Sequence, residues 1–486
     1  MFVLAIDEGT TSVRALVFDE RGALRGAAYE EIAAAFPRPG WVEQDPLQIW
    51  AATQRVSAGA LRAAGARPAD LAGVGLAVQR ATAVVWERAT GRPLYPAISW
   101  QDTRTADRVA ALLADGIFMN ALASATKLEW IVRELDAGAR AARGQLCFGT
   151  IDSWLIWQLS GGRTHVTDHS NASCTGLYDF LGGAWDAIPL AAVGLPEAAL
   201  PRIVDSSGVC GHTDPGVFGA AVPLAGVAGD QQAAMFGQLA VHPGTAKITF
   251  GTSAMIDVNT GAVPVFSEHG AYPLVLWSLG GERSCCLEGA VMTAGAAVQW
   301  LRDGLGIIAS ANETGPLAAS VPDSGGVWAV PALQGLGTPY MDPGARAVIG
   351  GLSRGSTRGH IVRAVLEGVA FRTCEALTAL LADAGAPADA PMRIDGGMAA
   401  NDVFVQCLAD ILGHPVERPE TVQATGLGAA YLAGSATGVW RGVDDLRAAW
   451  RSGGVFYPRT GADEREARLA AWRGCLGAAR APNRTS

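Results

Sequence analysis

The feature that most constrains the fold is a pattern that occurs twice, about half a chain apart. LAIDEGTTSVRALVFD, from Leu4 to Asp19, and TAKITFGTSAMIDVNTG, from Thr245 to Gly261, each place a Gly-Thr pair in a turn between two apolar, β-rich runs. Apolar runs bounded by turn residues predict strands joined in a hairpin. Two such hairpins indicate two related halves, and we place the boundary between them near residues 238–245.

Strand-like runs alternate with segments of helical periodicity along the rest of the chain. LAGVGLAV, from Leu71 to Val78, has the continuous apolar character of a buried strand, and apolar residues recur at helical spacing from Asp45 to Gly65. Asp45 and Pro46 predict where that helix begins, because Asp caps helices and Pro suits their first turn. The alternation predicts an α/β fold, and a length of 486 residues suggests two or three domains.

Composition and charge exclude several classes of protein. The net charge of -9, without a basic stretch, argues against a nucleic-acid partner, and no apolar run approaches the roughly 20 residues needed to cross a bilayer. The first residues read directly into a strand without the basic segment of a signal peptide, so we expect a cytoplasmic protein with no membrane partner. The eight cysteines form no C-x-x-C motif, which predicts free thiols in a reducing compartment.

The first hairpin turn, DEGTTSVR, is a candidate phosphate site. Its Gly-Thr-Thr turn offers backbone N–H groups and hydroxyls to phosphate oxygens, and Arg14 follows it. Asp7, at the end of the strand, is suited to hold Mg²⁺ through water. The alternative is an ordinary hairpin turn whose glycine has a positive φ angle. The chain has no G-x-x-x-x-G-K-S/T motif and no G-x-G-x-x-G after its first strand.

Two later turns have the same ambiguity between function and structure. Asp230 follows a buried strand in GVAGDQQAAMFGQ, where a carboxylate either accepts a proton from a substrate hydroxyl or caps the helix. In RIDGGMAAND, Gly396 and Gly397 allow the backbone to approach a flat ligand, and we expect Asn401 to face the same way from the following helix. A tight strand-to-helix turn is the structural alternative there.

These three stretches, in this order, resemble the FGGY carbohydrate kinases, and most closely the members that phosphorylate glycerol. The resemblance runs from Val3 to about Trp472 and includes PGWVEQDPLQIW, LYPAISWQDTRT, LEGAVMTAGAAVQWLRD, GLGTPYMDPGARAVIGGLSRG and TGLGAAYLAG. It implies an α/β fold of two actin-like, ribonuclease H-like ATPase domains with an interdomain cleft. The implied domains are residues 1–240 for substrate and phosphate, residues 241–475 for the nucleotide, and a tail at 476–486. The implied reaction uses ATP and Mg²⁺ to phosphorylate a primary hydroxyl of a small polyol or sugar.

The resemblance also implies roles for individual residues. Asp230 matches the catalytic base, which also contacts the substrate, and Asp7 matches the metal anchor. Arg80 and Gln231 match residues that bind substrate hydroxyls, and Trp100 matches a wall of the substrate pocket. Residues matching contacts to the nucleotide are Thr10, Thr11, Ser12 and Arg14 at the phosphates, with Thr252, Gly295, Gln299, Gly397 and Asn401 elsewhere in the site.

Three positions of the substrate pocket depart from the family pattern. Ala81 stands where the glycerol-phosphorylating members have a glutamate, Leu122 where they have a tyrosine, and Met255 where they have a phenylalanine. The loss of a polar partner for a substrate hydroxyl costs about 1–3 kcal/mol of binding free energy. Asp102, in SWQDTR, is our candidate for a replacement carboxylate. The substrate therefore stays open between glycerol and a longer polyol or a ketose such as xylulose.

Two classes other than a kinase also stay open at this point. Actin-like folds include chaperone-like ATPases, although no peptide-binding domain follows the second half of this chain. A non-catalytic binding protein would fit the altered pocket, although Asp7, Asp230 and Thr252 are retained. Family members are often homodimers or homotetramers, and the sequence does not select between these.

Overall fold

The computed structural model describes residues 1–120, 122–386, 392–420 and 423–480. The chain divides into two compact units, each assembled from separate stretches of sequence, and each with its own buried apolar core. The stretches are Met1–Leu239, Leu274–Ser284 and Gln423–Trp450 in unit 1, and Ala240–Pro273, Cys285–Val422 and Arg451–Ser486 in unit 2. Among the helices of the described residues, none is both long and apolar enough to cross a membrane.

The strands are short, and many follow one another through tight turns. In chain order they are β1 Phe2–Glu8, β2 Ser12–Asp19, β3 Leu24–Glu31, β4 Ala34–Ala35, β5 Glu43–Gln44, β6 Leu71–Val78, β7 Val84–Glu87, β8 Ala97–Ile98, β9 Leu146–Gly149, β10 Val166–Asp168, β11 Tyr178–Asp179, β12 Ala184–Trp185, β13 Arg202–Val204, β14 Ser207–His212, β15 Pro223–Gly229, β16 Ala246–Phe250, β17 Ala254–Gly261, β18 Tyr272–Leu279, β19 Glu282–Val291, β20 Trp328–Val330, β21 Val348–Gly350, β22 Met392–Gly396, β23 Val416–Pro419 and β24 Ser452–Phe456.

The α-helices alternate with these strands. In chain order they are α1 Pro46–Ala64, α2 Ala106–Ala114, α3 Ala125–Glu134, α4 Gly138–Ala142, α5 Ile151–Leu159, α6 His169–Ser173, α7 Ala187–Ala192, α8 Pro215–Phe218, α9 Asp230–Gly237, α10 Gly295–Gln299, α11 Thr314–Ala319, α12 Arg358–Ala384, α13 Asp402–Leu412, α14 Ala424–Ala436, α15 Val443–Ala449 and α16 Ala462–Arg480.

Unit 1 is built around a sheet whose central strands are parallel. Its order is β18-β14-β15-β6-β1-β2-β3. The first three strands of the chain form an antiparallel meander, β6 pairs parallel with β1, and β15 pairs parallel with β6. The continuous apolar character of β6 suits this position, because central parallel strands are covered on both faces.

Unit 2 repeats this arrangement. Its sheet runs β19-β17-β16-β22-β23-β24. The β16–β17 hairpin and β19 are antiparallel, while β22 pairs parallel with β16 and β23 parallel with β22. The repeated Gly-Thr hairpins of the sequence are therefore the same element of two sheets with the same strand plan.

Helix α14 explains why the late stretch Gln423–Trp450 belongs to unit 1. The helix packs against β6, β15 and α9 through small residues. A Cβ on Gly75 of β6 would overlap the carbonyl oxygen of Ala429, and one on Gly237 of α9 would overlap that of Ala424. Glycine is therefore required at these two positions, where the backbone of α14 approaches β6 and α9 most closely.

Local signals in the sequence are confirmed at α1. Oδ1 of Asp45 accepts a hydrogen bond from the N–H of Leu47 at 2.9 Å, and Pro46 is the first residue of the helix. Gly65 ends it with a left-handed φ of 64°, a conformation that glycine adopts readily. Capping and turn chemistry act over a few residues, so the sequence carries them directly.

Candidate active site

The candidate substrate residues of unit 1 follow the carboxyl ends of neighbouring parallel strands. The register pairs Glu8 of β1 with Val78 of β6, and Val78 with Gly229 of β15. The segments that leave these strand ends carry the Gly-Thr-Thr turn, Arg80 and Asp230. Sheets of this kind bind ligands outside the carboxyl ends of their strands. The topology therefore brings these sequence-predicted residues to one edge of the sheet.

An ion pair joins two of them. Asp230 is the first residue of α9, and its Oδ1 lies 3.3 Å from Nε of Arg80. The side chain of Asp230 is 32% exposed, so its carboxylate is open to a ligand. The N–H of Gln231 donates to the same Oδ1 at 2.8 Å. The N-cap position belongs to Gly229, so Asp230 does not occupy the place that the capping alternative requires.

The turn after β1 is closed by its own backbone and braced by an indole. The N–H of Gly9 donates to the carbonyl oxygen of Ser12 at 2.9 Å. Thr11 is exposed, Thr10 is half-buried and Ser12 is buried. Nε1 of Trp100 donates to Oγ1 of Thr10 at 2.9 Å. Trp100, expected at the substrate, therefore contacts the turn expected at the phosphates.

Asp7 lies beside this turn with a carboxylate that is hard to ionise. Its side chain is 12% exposed, and its Oδ2 lies 4.0 Å from Nη1 of Arg14. Burial raises the pKa of Asp7 to about 6, although Arg14 acts to lower it, and the charge of Asp230 raises it. A hard divalent cation relieves repulsion between carboxylates, so Asp7 fits Mg²⁺. Mg²⁺ needs few protein ligands, and the described residues contain no cluster of three or more metal-ligating side chains.

Glu8 is a buried acid that the sequence reasoning did not single out. Its Oε1 accepts a hydrogen bond from Nε2 of Gln79 at 3.0 Å, and its Oε2 has no hydrogen-bond partner within the described part of the chain. Burial raises the pKa of Glu8 well above its ordinary value, against the lowering effect of the Gln79 hydrogen bond. This environment favours the neutral acid. An acid next to Asp7 in the sequence gives no sign of being buried.

Asp102 corrects one expectation, because its carboxylate is not available to a substrate. The side chain is fully buried, and Arg104 donates to it through Nε at 2.9 Å and Nη2 at 2.8 Å. The N–H of Val42 donates to its Oδ2 at 2.6 Å. Arg104 also pairs with Glu43 at 2.8 Å and lies 3.7 Å from the centre of the Trp41 ring. Asp102 therefore serves the fold of unit 1 rather than replacing the missing glutamate.

Lys127 holds the segments that carry Trp100 and Leu122. Its Nζ donates to the carbonyl oxygen of Trp100 at 3.1 Å and to that of Leu122 at 2.9 Å. Burial lowers the pKa of Lys127 to about 7, which Asp102 acts to raise and Arg104 to lower. Leu122 is 43% exposed, so the position where the family has a tyrosine presents an apolar side chain to solvent.

Unit 2 contains a cavity of about 660 Å³. This volume lies within the usual range of small-molecule pockets. The sequence-predicted nucleotide residues that line it are Thr252, Gly295, Gln299, Gly397 and Asn401. They come from the β16–β17 turn, from α10, and from the segment between β22 and α13. The fold therefore gathers residues from Thr252 to Asn401, which are separated by more than half of the sequence of unit 2.

Close backbone contacts shape this cavity. A Cβ on Gly295 would lie 2.5 Å from the carbonyl oxygen of Gly251, which accepts a hydrogen bond from the Gly295 N–H at 2.9 Å. Gly396 has a φ of 86°, and a Cβ there would overlap the backbone of Phe250. At Gly397, in contrast, no atom lies within 4 Å of the Cβ position. Gly396 is thus needed for packing, whereas Gly397 leaves space.

Asn401 differs from the expectation in one respect. It precedes α13 as its N-cap instead of lying on the helix. Its Oδ1 accepts from the N–H groups of Val403 at 3.1 Å and Phe404 at 3.2 Å, and its Nδ2 donates to Oγ1 of Thr314 at 3.1 Å. The same side chain therefore both starts the helix and lines the cavity.

Comparison with known proteins identifies the family. The FGGY family of carbohydrate kinases has an N-terminal domain model that matches residues 2–237 and a C-terminal domain model that matches residues 246–437. The chain belongs to this family. It is an ATP-dependent carbohydrate or polyol kinase with the two-domain, actin-like α/β fold.

Individual members of the family are similar to this chain over nearly its whole length. The chain is 49% identical to a glycerol kinase of Aromatoleum aromaticum over 99% of both chains, and 48% identical to one of Dechloromonas aromatica over 97% of this chain and 96% of that protein. A crystal structure of Plasmodium falciparum glycerol kinase with ADP matches 99% of this chain and 98% of that one, at 30% identity and a TM-score of 0.92. A xylulose kinase from Rhodospirillum rubrum matches 98% of both chains at 27% identity and a TM-score of 0.85.

Proposed function

We propose that this chain transfers the γ-phosphoryl group of ATP to a primary hydroxyl of glycerol, forming glycerol 3-phosphate. The observation that carries the proposal is the partly exposed ion pair of Arg80 and Asp230, at the same edge of the sheet as the Gly-Thr-Thr turn. The relatives that are 48–49% identical over nearly the whole chain are named glycerol kinases, which supports this choice of substrate.

In this proposal Asp230 is the general base. A polyol hydroxyl is not ionised at neutral pH, so a carboxylate that accepts its proton lowers the barrier as the oxygen attacks phosphorus. Arg80, at 3.3 Å, orients that carboxylate. Arg80, Gln231 and Trp100 bind the hydroxyls and the carbon chain of the substrate. Phosphoryl transfer depends mainly on such positioning and on charge stabilisation.

In this proposal, residues of both units bind the nucleotide. We assign the nucleotide to the cavity of unit 2, through the five predicted residues that line it. In unit 1, we assign phosphate contacts to the turn Thr10–Ser12 and to Arg14, since N–H groups, hydroxyls and a guanidinium all bind phosphate oxygens. Asp7 would hold Mg²⁺, which when bound neutralises phosphate charge. Residues 1–240 and 241–475 keep these substrate and nucleotide roles as part of the proposal.

A longer polyol or a ketose is the second candidate substrate. Ala81 and Leu122 offer no polar group where the family pattern has a glutamate and a tyrosine, and the buried Asp102 does not replace them. Met255, in β17, is the third changed position and is half-buried. The smaller side chains of Ala81 and Leu122 leave room for a substrate with more carbons.

We also propose that the enzyme acts in the cytoplasm on a free small molecule. None of the eight cysteines, all of which lie in the described part of the chain, forms a disulfide, so all of them are thiols. Thiols of this kind persist in reducing compartments.

The test is ATP consumption by the purified protein with glycerol, erythritol, threitol, xylitol, ribitol, dihydroxyacetone, D-xylulose and L-ribulose. We expect turnover with glycerol, and a loss of about 10²–10⁴-fold in kcat in Asp230→Asn, which keeps the shape of the side chain and removes the base. Turnover only with longer polyols or ketoses would move the substrate to the second candidate. ATP hydrolysis that no alcohol stimulates would contradict a kinase.

A further inference from the structure

Side chains and backbone groups of unit 1 form a closed ring of hydrogen bonds beside the candidate active site. Nε2 of Gln44 donates to the carbonyl oxygen of Thr10 at 2.8 Å, and Nε2 of Gln79 donates to Oε1 of Gln44 at 2.9 Å. Oγ1 of Thr82 donates to Oε1 of Gln79 at 3.0 Å. Trp100 closes the ring, because its N–H donates to Oγ1 of Thr82 at 3.2 Å and its Nε1 to Oγ1 of Thr10 at 2.9 Å.

Three of the five ring members are buried, and Thr10 and Trp100 are half-buried. Gln44 is 2% exposed, Gln79 is 1% exposed and Thr82 is fully buried. The hydroxyl of Thr82 both donates and accepts, and the amide of Gln79 uses both its nitrogen and its oxygen. At the two bonds between buried side chains, Gln44–Gln79 and Gln79–Thr82, the loss of one partner leaves the other polar group unsatisfied. These bonds therefore resist movement of one member alone.

The ring brackets the residue that pairs with Asp230. The side chains of Gln79 and Thr82 bond to each other across Arg80 and Ala81. Ala81 has a φ of 60°, a left-handed conformation that is uncommon for residues other than glycine and is stable only where the surroundings impose it. The bond between Gln79 and Thr82 spans this strained backbone. Two members of the ring therefore lie on either side of Arg80 and Ala81 in the sequence.

We propose that Gln44, Gln79 and Thr82 are positioning residues for phosphoryl transfer, which set the Thr10 turn relative to Arg80 and Trp100. The inference rests on the proposed function, since it takes the Thr10 turn to bind phosphate and Arg80 and Trp100 to bind the alcohol. A ring that joins the phosphate-binding turn to the alcohol-binding residues holds the attacking oxygen at a fixed position relative to the phosphate. Misplacement of reacting groups by about 1 Å can cost about 10²-fold in rate.

Thr82→Val is the most direct test, because valine keeps the shape of threonine and replaces the hydroxyl by a methyl group, which cannot form hydrogen bonds. It leaves Oε1 of Gln79 and the N–H of Trp100 without their partner in the ring. We expect kcat with glycerol to fall at least tenfold, with less than a threefold change in the KM for glycerol and in the Kd for ADP. Thr82→Ser restores the hydroxyl and should recover most of kcat.

Thr53→Val is the matched control. Thr53 is also fully buried in unit 1, and its hydroxyl donates at 2.8 Å to the carbonyl oxygen of Ile49 within α1. The same chemical change there should leave kcat at the wild-type value, even though it costs a hydrogen bond. If Thr82→Val does not fold, Gln44→Met opens the ring at Thr10 and carries the same expectation for kcat and KM.

The outcomes are distinguishable. Suppose that the wild type phosphorylates glycerol or another alcohol of the panel. If kcat of Thr82→Val is then within twofold of the wild-type value, the ring serves the fold alone and the inference is overturned. Equal losses in Thr82→Val and Thr53→Val would overturn it as well. A wild-type chain with no turnover on any alcohol would instead overturn the proposed function, and the positioning role with it.

Discussion

Gly397→Ala tests the nucleotide site without disturbing the fold. Gly397 lines the cavity of unit 2, and no atom of the protein lies within 4 Å of the position that a Cβ would take. Its φ lies outside the left-handed region, so alanine fits its backbone. Replacing glycine by alanine at such a position stabilises a protein by about 0.4–1 kcal/mol through the unfolded state. We therefore expect a melting temperature equal to that of the wild type or slightly higher.

Nucleotide affinity should change in the opposite direction. A methyl group placed where a ligand packs closely costs about 1–3 kcal/mol, by analogy with an overfilled core. At about 1.4 kcal/mol for each factor of ten, Kd for ADP should rise by about 5- to 150-fold. Calorimetric titration of ADP into the full-length protein measures this directly, and it does not depend on which alcohol is the substrate.

The control for this prediction is Gly474→Ala. Gly474 lies in α16, also with no atom near its Cβ position, and it is not among the residues that line the cavity. It should leave Kd for ADP unchanged. Unaltered ADP affinity in Gly397→Ala, with the melting temperature preserved, would refute the assignment of this cavity to the nucleotide.

Two further predictions concern the buried charges of unit 1. Asp102→Asn should lower the free energy of unfolding by about 3–5 kcal/mol, because it breaks the buried pair with Arg104, while the KM for the alcohol stays unchanged below the melting temperature. Lys127→Met should remove the contribution of Lys127 to the pH dependence of the free energy of unfolding. The fold lowers the pKa of Lys127 to about 7 from 10.5, so the unfolded chain binds more protons between these values, and wild-type stability should rise with pH there by up to about 1.4 kcal/mol per unit relative to the variant.

The measurements for these predictions are chemical denaturation and steady-state kinetics. For Asp102→Asn, a higher KM without loss of stability would mean that the carboxylate binds the substrate, as the sequence suggests. For Lys127→Met, the free energy of unfolding is measured by denaturation at pH 7 and pH 9 for the variant and the wild type. The two pairs of values show how differently the stability of each protein changes with pH. Parallel pH dependences of variant and wild type would mean that Lys127 titrates near its ordinary pKa in the folded protein.

Sequence reasoning reached what depends on neighbouring residues. The start and end of α1 at Pro46 and Gly65 follow from capping chemistry, and the two Gly-Thr hairpins follow from alternating strand and turn residues. The order of the motifs was enough to recognise the family. The capping and hairpin signals are each determined within about twenty residues, so the pattern carries them without knowledge of the tertiary structure.

What the sequence did not reveal depends on contacts between distant segments. Asp102 looks the same in the sequence whether its partner is a substrate or Arg104 with the backbone of Val42, and only packing decides. The ring through Gln44, Gln79 and Thr82 joins short polar motifs that have no periodic signal. The single boundary suggested by the internal repeat also gives no sign that Gln423–Trp450 groups with unit 1.

That grouping has a consequence for how the protein is made. Helix α14, which covers the glycine faces of β6, β15 and α9, leaves the ribosome only after all the strands of the unit 1 sheet have done so. Until then the nascent unit 1 exposes a flat, small-residue surface with no cover of its own. Its cooperative folding therefore waits until α14 has been synthesised, and a fragment that stops at Leu239 is expected to depend on chaperones and to aggregate rather than to fold as an independent domain.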